Sequence, residues 1–294
     1  MNKKCIIIIL LTLILLSGCS PFYRLLNLSP SIKLKDVAFE NKEVNSEYNF
    51  EYSDTTGNEY LRKLRTEYGL DTMTTNLKSD LDKIKTILDW THNQWTHSGS
   101  NTPSKSDPLT ILEEAKEGNN FRCVEYGIVS AAALNSIGIP SRVFALKTAD
   151  VEKVRYGAGH VAAESYSKEF KKWIFIDGQF NAIPILNNIP LNAVEFLKAI
   201  TENIGNLKII NIKGEISKEE KEKYINWISK YLFYFDIRFD NRYISYKDKI
   251  KINGKSKLML VPLNTDNPFI FQRKSKIDYC LYTNNINDFY QKPN

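Results

Sequence analysis

Three residues of the types that build an activated thiol follow one another along the chain: Cys123, His160 and Asp177. A free thiol is mostly protonated at neutral pH, and the thiolate is the nucleophile. A histidine can take the thiol proton, and a carboxylate on one ring nitrogen fixes the tautomer and stabilises the imidazolium. These residue types therefore predict a cysteine nucleophile, provided that the fold brings their side chains together.

Cys123 lies where a loop turns into an apolar helix, which we expect to run from about residue 123 to Gly138. The helix is apolar nearly all round, so it is predicted to be buried, and Pro140 prevents its continuation. The unpaired N–H groups and partial positive charge of a helix N-terminus favour a thiolate. One other interpretation stays open, a disulfide with Cys280.

His160 and Asp177 fall on neighbouring strand-like segments, 160–166 and 172–177, joined by a short polar turn. In an antiparallel hairpin two registers are open. Pairing of Tyr166 with Trp173 makes His160 a diagonal neighbour of Asp177, and a shifted register places them directly opposite. Both registers put the two residues on one face, about 5–8 Å apart by backbone. A lone histidine is more often structural and a strand-end aspartate more often a turn residue, so the argument rests on the joint occurrence.

The rest of the chain predicts an α+β fold. Apolar residues at three- and four-residue spacing indicate helices at about 58–69, 79–95 and 107–118, and Asp107-Pro108 is a typical helix start. Strands follow at 141–147 and in the hairpin. Beyond Pro190 we expect two more helical stretches, about 191–201 and 217–231, and then aromatic strand-like segments to the end of the chain.

Residues from about 80 to 180 resemble the transglutaminase-like superfamily, whose core is shared with papain-type cysteine peptidases. The resemblance implies helices packed on an antiparallel sheet, with nucleophile, base and orienting acid at Cys123, His160 and Asp177. It covers about a third of the chain and rests on five stretches in order: D-P-L-T-I-L (107–112), R-C-V-E-Y-G (122–127), S-I-G-I-P-S-R-V (136–143), G-H-V-A-A-E-S-Y (159–166) and W-I-F-I-D (173–177).

Three positions depart from the family pattern. Arg122 replaces the usual glycine before the cysteine, Ala162 a large aromatic residue, and Gly178 the usual proline after the aspartate. These changes keep the three candidate residues but alter their neighbours, so they leave the substrate open.

An acyl-transfer site also needs a donor for the oxyanion. The backbone N–H of Cys123 is one candidate. In the family an indole or amide upstream of the cysteine often helps, and here Trp95, Gln94 and Trp90 are candidates, with core packing as the alternative for the tryptophans.

The N-terminus has the layout of a secretion signal: Lys3 and Lys4, then an apolar run over 5–16 that is too short to span a bilayer. The following Leu16-Ser17-Gly18-Cys19 resembles the lipobox of bacterial lipoproteins, which implies cleavage before Cys19 and lipid on its thiol. An ordinary cleaved signal with a stray cysteine and an uncleaved membrane helix are the alternatives. We therefore expect an exported protein, lipid-anchored to a bacterial membrane.

Composition limits the partners. The chain has 40 Lys and Arg against 34 Asp and Glu, with the basic residues dispersed, so nucleic-acid binding is not expected. His92 and His97 are five residues apart, which is not the spacing of a helical zinc pair, and no phosphate-binding glycine loop is present. We expect no metal or cofactor, and the oligomeric state is left open.

The sequence thus divides into a signal (1–18), a tether (19–47), a transglutaminase-like domain (48–190) and a C-terminal extension of helices and strands (191–294). The expected function is a membrane-anchored thiol-dependent enzyme, a peptidase, amidase or acyl transferase, acting on protein, peptide or cell-wall amides. The alternative is a non-catalytic binding or scaffolding lipoprotein on the same fold.

Overall fold

Helices pack on both faces of a six-stranded sheet in this computed structural model, which describes residue 34 and residues 37–45, 47–54 and 57–293. The predicted signal and the lipidation residue Cys19 lie outside these residues. The helices are α1 (Glu59–Glu67), α2 (Leu70–Thr74), α3 (Asp80–His92), α4 (Pro108–Lys116), α5 (Cys123–Ser136), α6 (Ala193–Glu202), α7 (Lys218–Ile228) and α8 (Ile286–Phe289), with 3-10 turns at Ser229–Tyr231 and Tyr246–Asp248.

The strands form one large sheet and two small ones. The large sheet has the order β12-β9-β8-β1-β2-β3 and is antiparallel except for the pair β9 and β12. A four-stranded sheet has the order β5-β4-β6-β7, and β10 pairs with β11. The strands are β1 (Ser141–Lys147), β2 (Gly159–Ser167), β3 (Lys172–Ile176), β4 (Ile183–Leu186), β5 (Ile189–Pro190), β6 (Leu207–Asn211), β7 (Gly214–Glu215), β8 (Tyr234–Arg238), β9 (Lys257–Leu260), β10 (Ile270–Phe271), β11 (Ser275–Lys276) and β12 (Cys280–Thr283).

The α+β prediction, with helices packed on an antiparallel sheet, is confirmed. Alternation along the central strands separates two apolar cores. Phe144, Ala162 and Phe175 face α6 and α7, while Ala163 and Ile174 face α3, α4 and α5. The sheet is therefore the middle of three layers.

Helix ends follow local hydrogen bonding, and one predicted end was wrong. The side chain of Asp107 caps α4 as the sequence indicated, and that of Ser79 caps α3. α3 ends at His92 rather than at residue 95, because the side-chain amides of Asn93 and Gln94 donate to the carbonyls of Asp89 and Trp90. Gln94 and Trp95 consequently lie beyond the helix.

The β2–β3 hairpin adopts the first of the two predicted registers. Tyr166 pairs with Trp173 and Ala163 with Ile176, so the position opposite Asp177 is Ala162. His160 is then the diagonal neighbour of Asp177 on the same face.

Helix α5 lies unusually close to β2. A Cβ placed on Gly127 would lie 2.6 Å from the carbonyl oxygen of Ala162, so this approach requires glycine. The contact fixes the helix, and with it Cys123 at its first residue, against the strand that begins beside His160.

The segments before and after the stretch that resembles the superfamily (about 80–180) both pack onto that stretch. β8, β9 and β12 extend the sheet across the predicted boundary at residue 190, so the C-terminal segment shares its hydrogen bonding. Part of the predicted tether also differs from the expectation: Glu40 bridges to Asn285, and Phe39 packs on the core. Burial of Val37 and Phe39 against the core holds residues 37–45 on the domain.

Candidate active site

His160 and Asp177 form a buried pair. The Nε2 atom of His160 lies 2.9 Å from Oδ2 of Asp177, and both side chains are almost fully buried. The other carboxylate oxygen accepts the backbone N–H groups of Gln179 and Phe180 at 3.1 and 3.4 Å. The turn after β3 thus orients the carboxylate, and the carboxylate orients the ring.

The side chain of Cys123 lies close enough to the imidazole of His160 to help raise the pKa of that ring. Since Nε2 is engaged by Asp177, the ring nitrogen left for the thiol is Nδ1. Cys123 is the first residue of α5 and is half-buried. The structure therefore brings together the three residues that the sequence singled out.

The charge state of His160 follows from these contacts. Burial lowers the pKa of the imidazole, but the Asp177 carboxylate and the Cys123 side chain outweigh burial and raise that pKa to about 9. A ring that holds its proton at neutral pH places a positive charge near the side chain of Cys123.

Arg122 takes part in holding the start of α5. Its backbone N–H donates to the buried carboxylate of Glu125 at 3.0 Å, and its guanidinium donates to the same group at 2.7 Å. The ion pair of Arg122 with Glu125 therefore holds the start of α5. Arg122 occupies the position before the cysteine where the family typically has a glycine.

Tyr224 on α7 is a contact that the sequence did not reveal. Its buried hydroxyl donates to Oδ2 of Asp177 at 3.0 Å, the same oxygen that faces His160. Burial, reinforced by the Asp177 charge, raises the pKa of Tyr224 well above its usual range, so the hydroxyl keeps its proton and remains a donor.

Aromatic rings surround the imidazole. Trp227 meets His160 edge-on with ring centroids 4.8 Å apart, while Tyr231 lies at 5.8 Å and Phe180 at 6.4 Å. Tyr224, Trp227 and Tyr231 recur at three- and four-residue spacing along α7 and the turn after it. This stripe was readable as one helix face, but nothing in the sequence indicated which surface it covers.

A cavity of about 640 Å³ lies next to this aromatic wall. Phe180, Tyr224 and Trp227 form its inner side, and its other walls come from the end of α3, from β6 and from α7. Its place beside the His160–Asp177 pair makes it a candidate space for part of a substrate.

The three candidate oxyanion donors have different surroundings. The buried Nε1 of Trp95 has no hydrogen-bond partner among the described residues, and its ring packs on Tyr126 at 4.4 Å, one turn after Cys123. The amide of Gln94 donates instead to the Trp90 carbonyl, and the Trp90 ring packs on Tyr68. Among the three, Trp95 is thus the residue whose side-chain donor is both buried and unpartnered.

The remaining histidines and cysteines have different positions relative to the site. His92 ends α3, and its Nδ1 lies 3.1 Å from the carbonyl oxygen of Gly178. Burial and the nearby charge of His160 lower the pKa of His97, so His97 stands closer to the pair than a plain surface residue would. Cys123 and Cys280 are both free thiols, which excludes the disulfide, and burial raises the pKa of Cys280 to about 12.

Among the described residues, we find neither a group of side chains arranged to hold a metal ion nor a helix able to cross a membrane.

Residues 70–178 match the family described as the transglutaminase-like superfamily, and this confirms the resemblance for that part of the chain. No curated protein matches the chain in sequence.

Solved structures with similar folds include three that we note. A putative cysteine protease from Cytophaga hutchinsonii has 14% identity and a TM-score of 0.34, over 59% of this chain and 55% of that chain. Red sea bream transglutaminase has 10% identity and a TM-score of 0.32, over 72% and 51%. Calcium-bound LapG of Legionella pneumophila has 12% identity and a TM-score of 0.30, over 55% and 87%. The chain spans about half the length of the first two.

Proposed function

We propose that this protein is a cysteine-dependent peptidase, amidase or acyl transferase that acts on amide bonds through Cys123, His160 and Asp177. The observation that carries the proposal is the buried His160–Asp177 pair, with Nε2 of His160 2.9 Å from Oδ2 of Asp177 and the Cys123 side chain close to the same imidazole. The transglutaminase-like core over residues 70–178 supports the same class of chemistry.

The reaction would proceed through a thioester. The Cys123 sulfur attacks the carbonyl carbon of the substrate amide, and the proton that His160 holds passes to the nitrogen of the leaving amine. The C–N bond breaks, a C–S bond has formed, and the amine departs. Water, deprotonated by His160, then attacks the thioester, the C–S bond breaks to release the carboxylic acid, and the Cys123 thiolate and protonated His160 are restored.

The oxyanion of the tetrahedral intermediates needs donors. The backbone N–H of Cys123 is available because the first N–H groups of a helix have no acceptor within the helix. The unpartnered indole N–H of Trp95 is the second candidate. Removing one such donor typically lowers kcat by about 10²–10³-fold.

Hydrolysis is the preferred outcome in this proposal, since an exported domain meets water freely and no feature of the sequence indicates a site for an accepting amine. The substrate class is protein, peptide or cell-wall amide. The protein would be held on a bacterial membrane through lipid on Cys19. A Cys19→Ala change should move it from the membrane to the soluble fraction, and an unchanged distribution would count against lipidation.

A non-catalytic binding lipoprotein on the same fold is the second candidate, favoured by the departures at Arg122, Ala162 and Gly178. The neighbours of Gly178 bear on this: a Cβ there would lie 2.7 Å from the Ser130 hydroxyl. The turn that carries Asp177 therefore packs closely on Ser130, which leaves no room for a side chain such as proline at position 178.

Alkylation separates the two candidates. Iodoacetamide should label Cys123 of the folded protein rapidly near neutral pH, with the site identified by peptide mass spectrometry. His160→Ala, or the better-packed His160→Gln, should slow labelling, whereas His92→Gln should not. Cys280 serves as the internal reference because its buried thiol should stay unlabelled. Equally slow labelling with and without His160 would overturn the enzyme proposal.

A further inference from the structure

A second cavity lies away from the candidate active site, against the middle of α5. It has a volume of about 510 Å³ and is walled by α5, by the start of β1 and by the loop after β8. An adjoining cavity of about 300 Å³ shares three of its residues, Arg238, Tyr246 and Lys249. Neither Cys123, His160 nor Asp177 lines either space.

Arg238 supplies an uncompensated positive charge at the junction of the two cavities. It ends β8 with its side chain exposed, and its guanidinium has neither a hydrogen bond nor an ion pair within the part of the chain that the structure describes. Among the other cations that line the cavities, Lys257 pairs with Asp236 and Arg142 with Glu164, while the exposed Lys251 of the smaller cavity has no ion pair among the described residues.

Lys249 is the second uncompensated cation. Its ammonium donates only to the backbone carbonyls of Arg242 and Asp240, at 2.8 and 3.3 Å. Burial lowers the pKa of Lys249, the nearby Arg238 lowers it further, and Asp240 opposes the shift. A half-buried ammonium beside a guanidinium is electrostatically unfavourable until an anion joins them.

The loop that holds these cations is already ordered by its own contacts. Asp240 accepts the Arg242 guanidinium at 2.6 Å and the backbone N–H of Ile250 at 2.9 Å, which closes the loop around Lys249. The acid on the opposite wall, Asp107, is committed to Tyr60 and Thr110. Asp107 keeps its negative charge in these hydrogen bonds, and Arg142 and Arg242 are paired with acids, so Arg238 and Lys249 leave the larger cavity with one positive charge in excess.

The remaining walls are apolar and aromatic. Tyr60 and Tyr243 stack with ring centroids 5.8 Å apart and nearly parallel planes. Ile128 and Val143 continue this wall, and Tyr246, with 72% of its surface exposed, stands at the rim. An exposed aromatic side chain next to unpaired cations is typical of a surface that receives a ligand with both properties.

We propose that this cavity binds a small organic anion, whose phosphate or carboxylate group lies between Arg238 and Lys249 and whose apolar body lies against Ile128, Val143 and Tyr243. The inference is independent of the chemistry at Cys123. A soluble phosphate ester and a phospholipid head group share the required chemistry, so the experiment distinguishes these two sources.

The test uses the full chain carrying Cys19→Ala, so that no lipid anchor contributes to binding. Phenyl phosphate is titrated by calorimetry at low ionic strength, with inorganic phosphate for comparison. Vesicles of phosphatidylglycerol, with phosphatidylcholine as the neutral reference, form the second arm. We expect saturable binding in at least one arm, with phenyl phosphate bound about tenfold more tightly than inorganic phosphate if the source is soluble.

The decisive comparison is between two variants, Arg238→Gln and Arg273→Gln. Arg273 is also an exposed arginine, and it lies in the turn between β10 and β11. Arg238→Gln should weaken binding about tenfold or more, and Arg273→Gln by less than about twofold. Thermal unfolding checks that both variants fold. Binding to anionic vesicles alone, lost in Arg238→Gln, supports the head-group source. Absence of saturable binding in both arms, equal loss in the two variants, or equal affinity for phenyl and inorganic phosphate would overturn the proposal.

Discussion

The matched core and the C-terminal segment contribute to the candidate active site in different ways. Residues 70–178 provide Cys123, His160 and Asp177, the groups whose bonds and protons would change. The C-terminal segment provides Tyr224 on the shared carboxylate and Trp227 against the imidazole. In the proposed mechanism the core thus supplies the reacting groups, while Tyr224 and Trp227 contact the carboxylate and the imidazole.

The difference explains why the two regions should tolerate change differently. A group that exchanges a proton cannot be replaced without loss of reactivity. Replacing a group that only packs or donates one hydrogen bond should change the reaction rate by no more than the factor set by the energy of that one contact. Variants on each side of this division should therefore fall into separate ranges of effect.

The largest effect is expected for Asp177→Asn. Without the carboxylate, burial would lower the pKa of His160, and the ring would no longer hold its proton at pH 7. Breaking this buried pair should cost about 3–5 kcal/mol of unfolding free energy, and alkylation of Cys123 should slow by about 10²-fold or more.

Asp236→Asn is the matched control for that variant. Asp236 is another buried carboxylate, paired with Lys147 and Lys257 and remote from Cys123 in its contacts. The Asp236→Asn variant should lose a similar amount of unfolding free energy in denaturant titration. Cys123 should keep its alkylation rate in this variant. Equal slowing in both variants would mean that alkylation reports general loosening of the fold.

A pH-dependent stability is the next largest effect. Because the pKa of His160 is raised from 6.5 to about 9, its contribution is fully present below pH 6.5 and is lost as the pH rises through 9. The contribution is on the order of 3 kcal/mol.

Urea unfolding at a series of pH values measures this contribution as the difference between the wild type and His160→Gln. The difference should shrink between about pH 6.5 and 9. The unfolding free energy of His92→Gln should change with pH in the same way as that of the wild type, across the whole range. A constant difference between wild type and His160→Gln would show that His160 does not titrate in this interval.

Tyr224→Phe examines the C-terminal contribution to the pair. It removes one hydrogen bond to a buried carboxylate, which should lower the unfolding free energy by about 1.5–3 kcal/mol. Cys123 alkylation should change by several-fold only. Tyr234→Phe, which removes a hydroxyl bonded to the Asp266 carbonyl, should lower stability and leave alkylation unchanged.

The smallest effect is expected for Trp227→Leu. The edge-on contact of its ring with His160 is worth about 0.5–1.5 kcal/mol, so alkylation should change by roughly two- to tenfold. Trp90→Leu removes a comparable edge-on contact with Tyr68 and is the control. If Trp227→Leu slowed alkylation more than Asp177→Asn does, the proposed division between the two regions would be contradicted.

Much of the core geometry could be predicted because it depends on local rules. Strand alternation placed His160 and Asp177 on one face, and the hairpin left only two registers, of which the structure adopts the one with Tyr166 opposite Trp173. The helix start at Cys123 followed from the apolar run and its preceding loop. Such features require only neighbours in sequence.

What could not be predicted depends on contacts between distant segments. The hydroxyl of Tyr224 reaches a carboxylate 47 residues away, which no periodicity indicates. Trp95 was placed on a helix that ends three residues earlier, because side-chain amides compete for its last carbonyls. The order in which β8, β9 and β12 join the sheet is likewise set by burial of their faces.

The most direct measurement of the central claim is the ultraviolet absorbance of the Cys123 thiolate at neutral pH. The spectrum of Cys123→Ala is subtracted from that of the wild type, and the same subtraction is made in the His160→Gln background. The account predicts a thiolate signal in the first difference and its absence in the second. A wild-type difference spectrum without thiolate until strongly alkaline pH would contradict activation of Cys123 by His160.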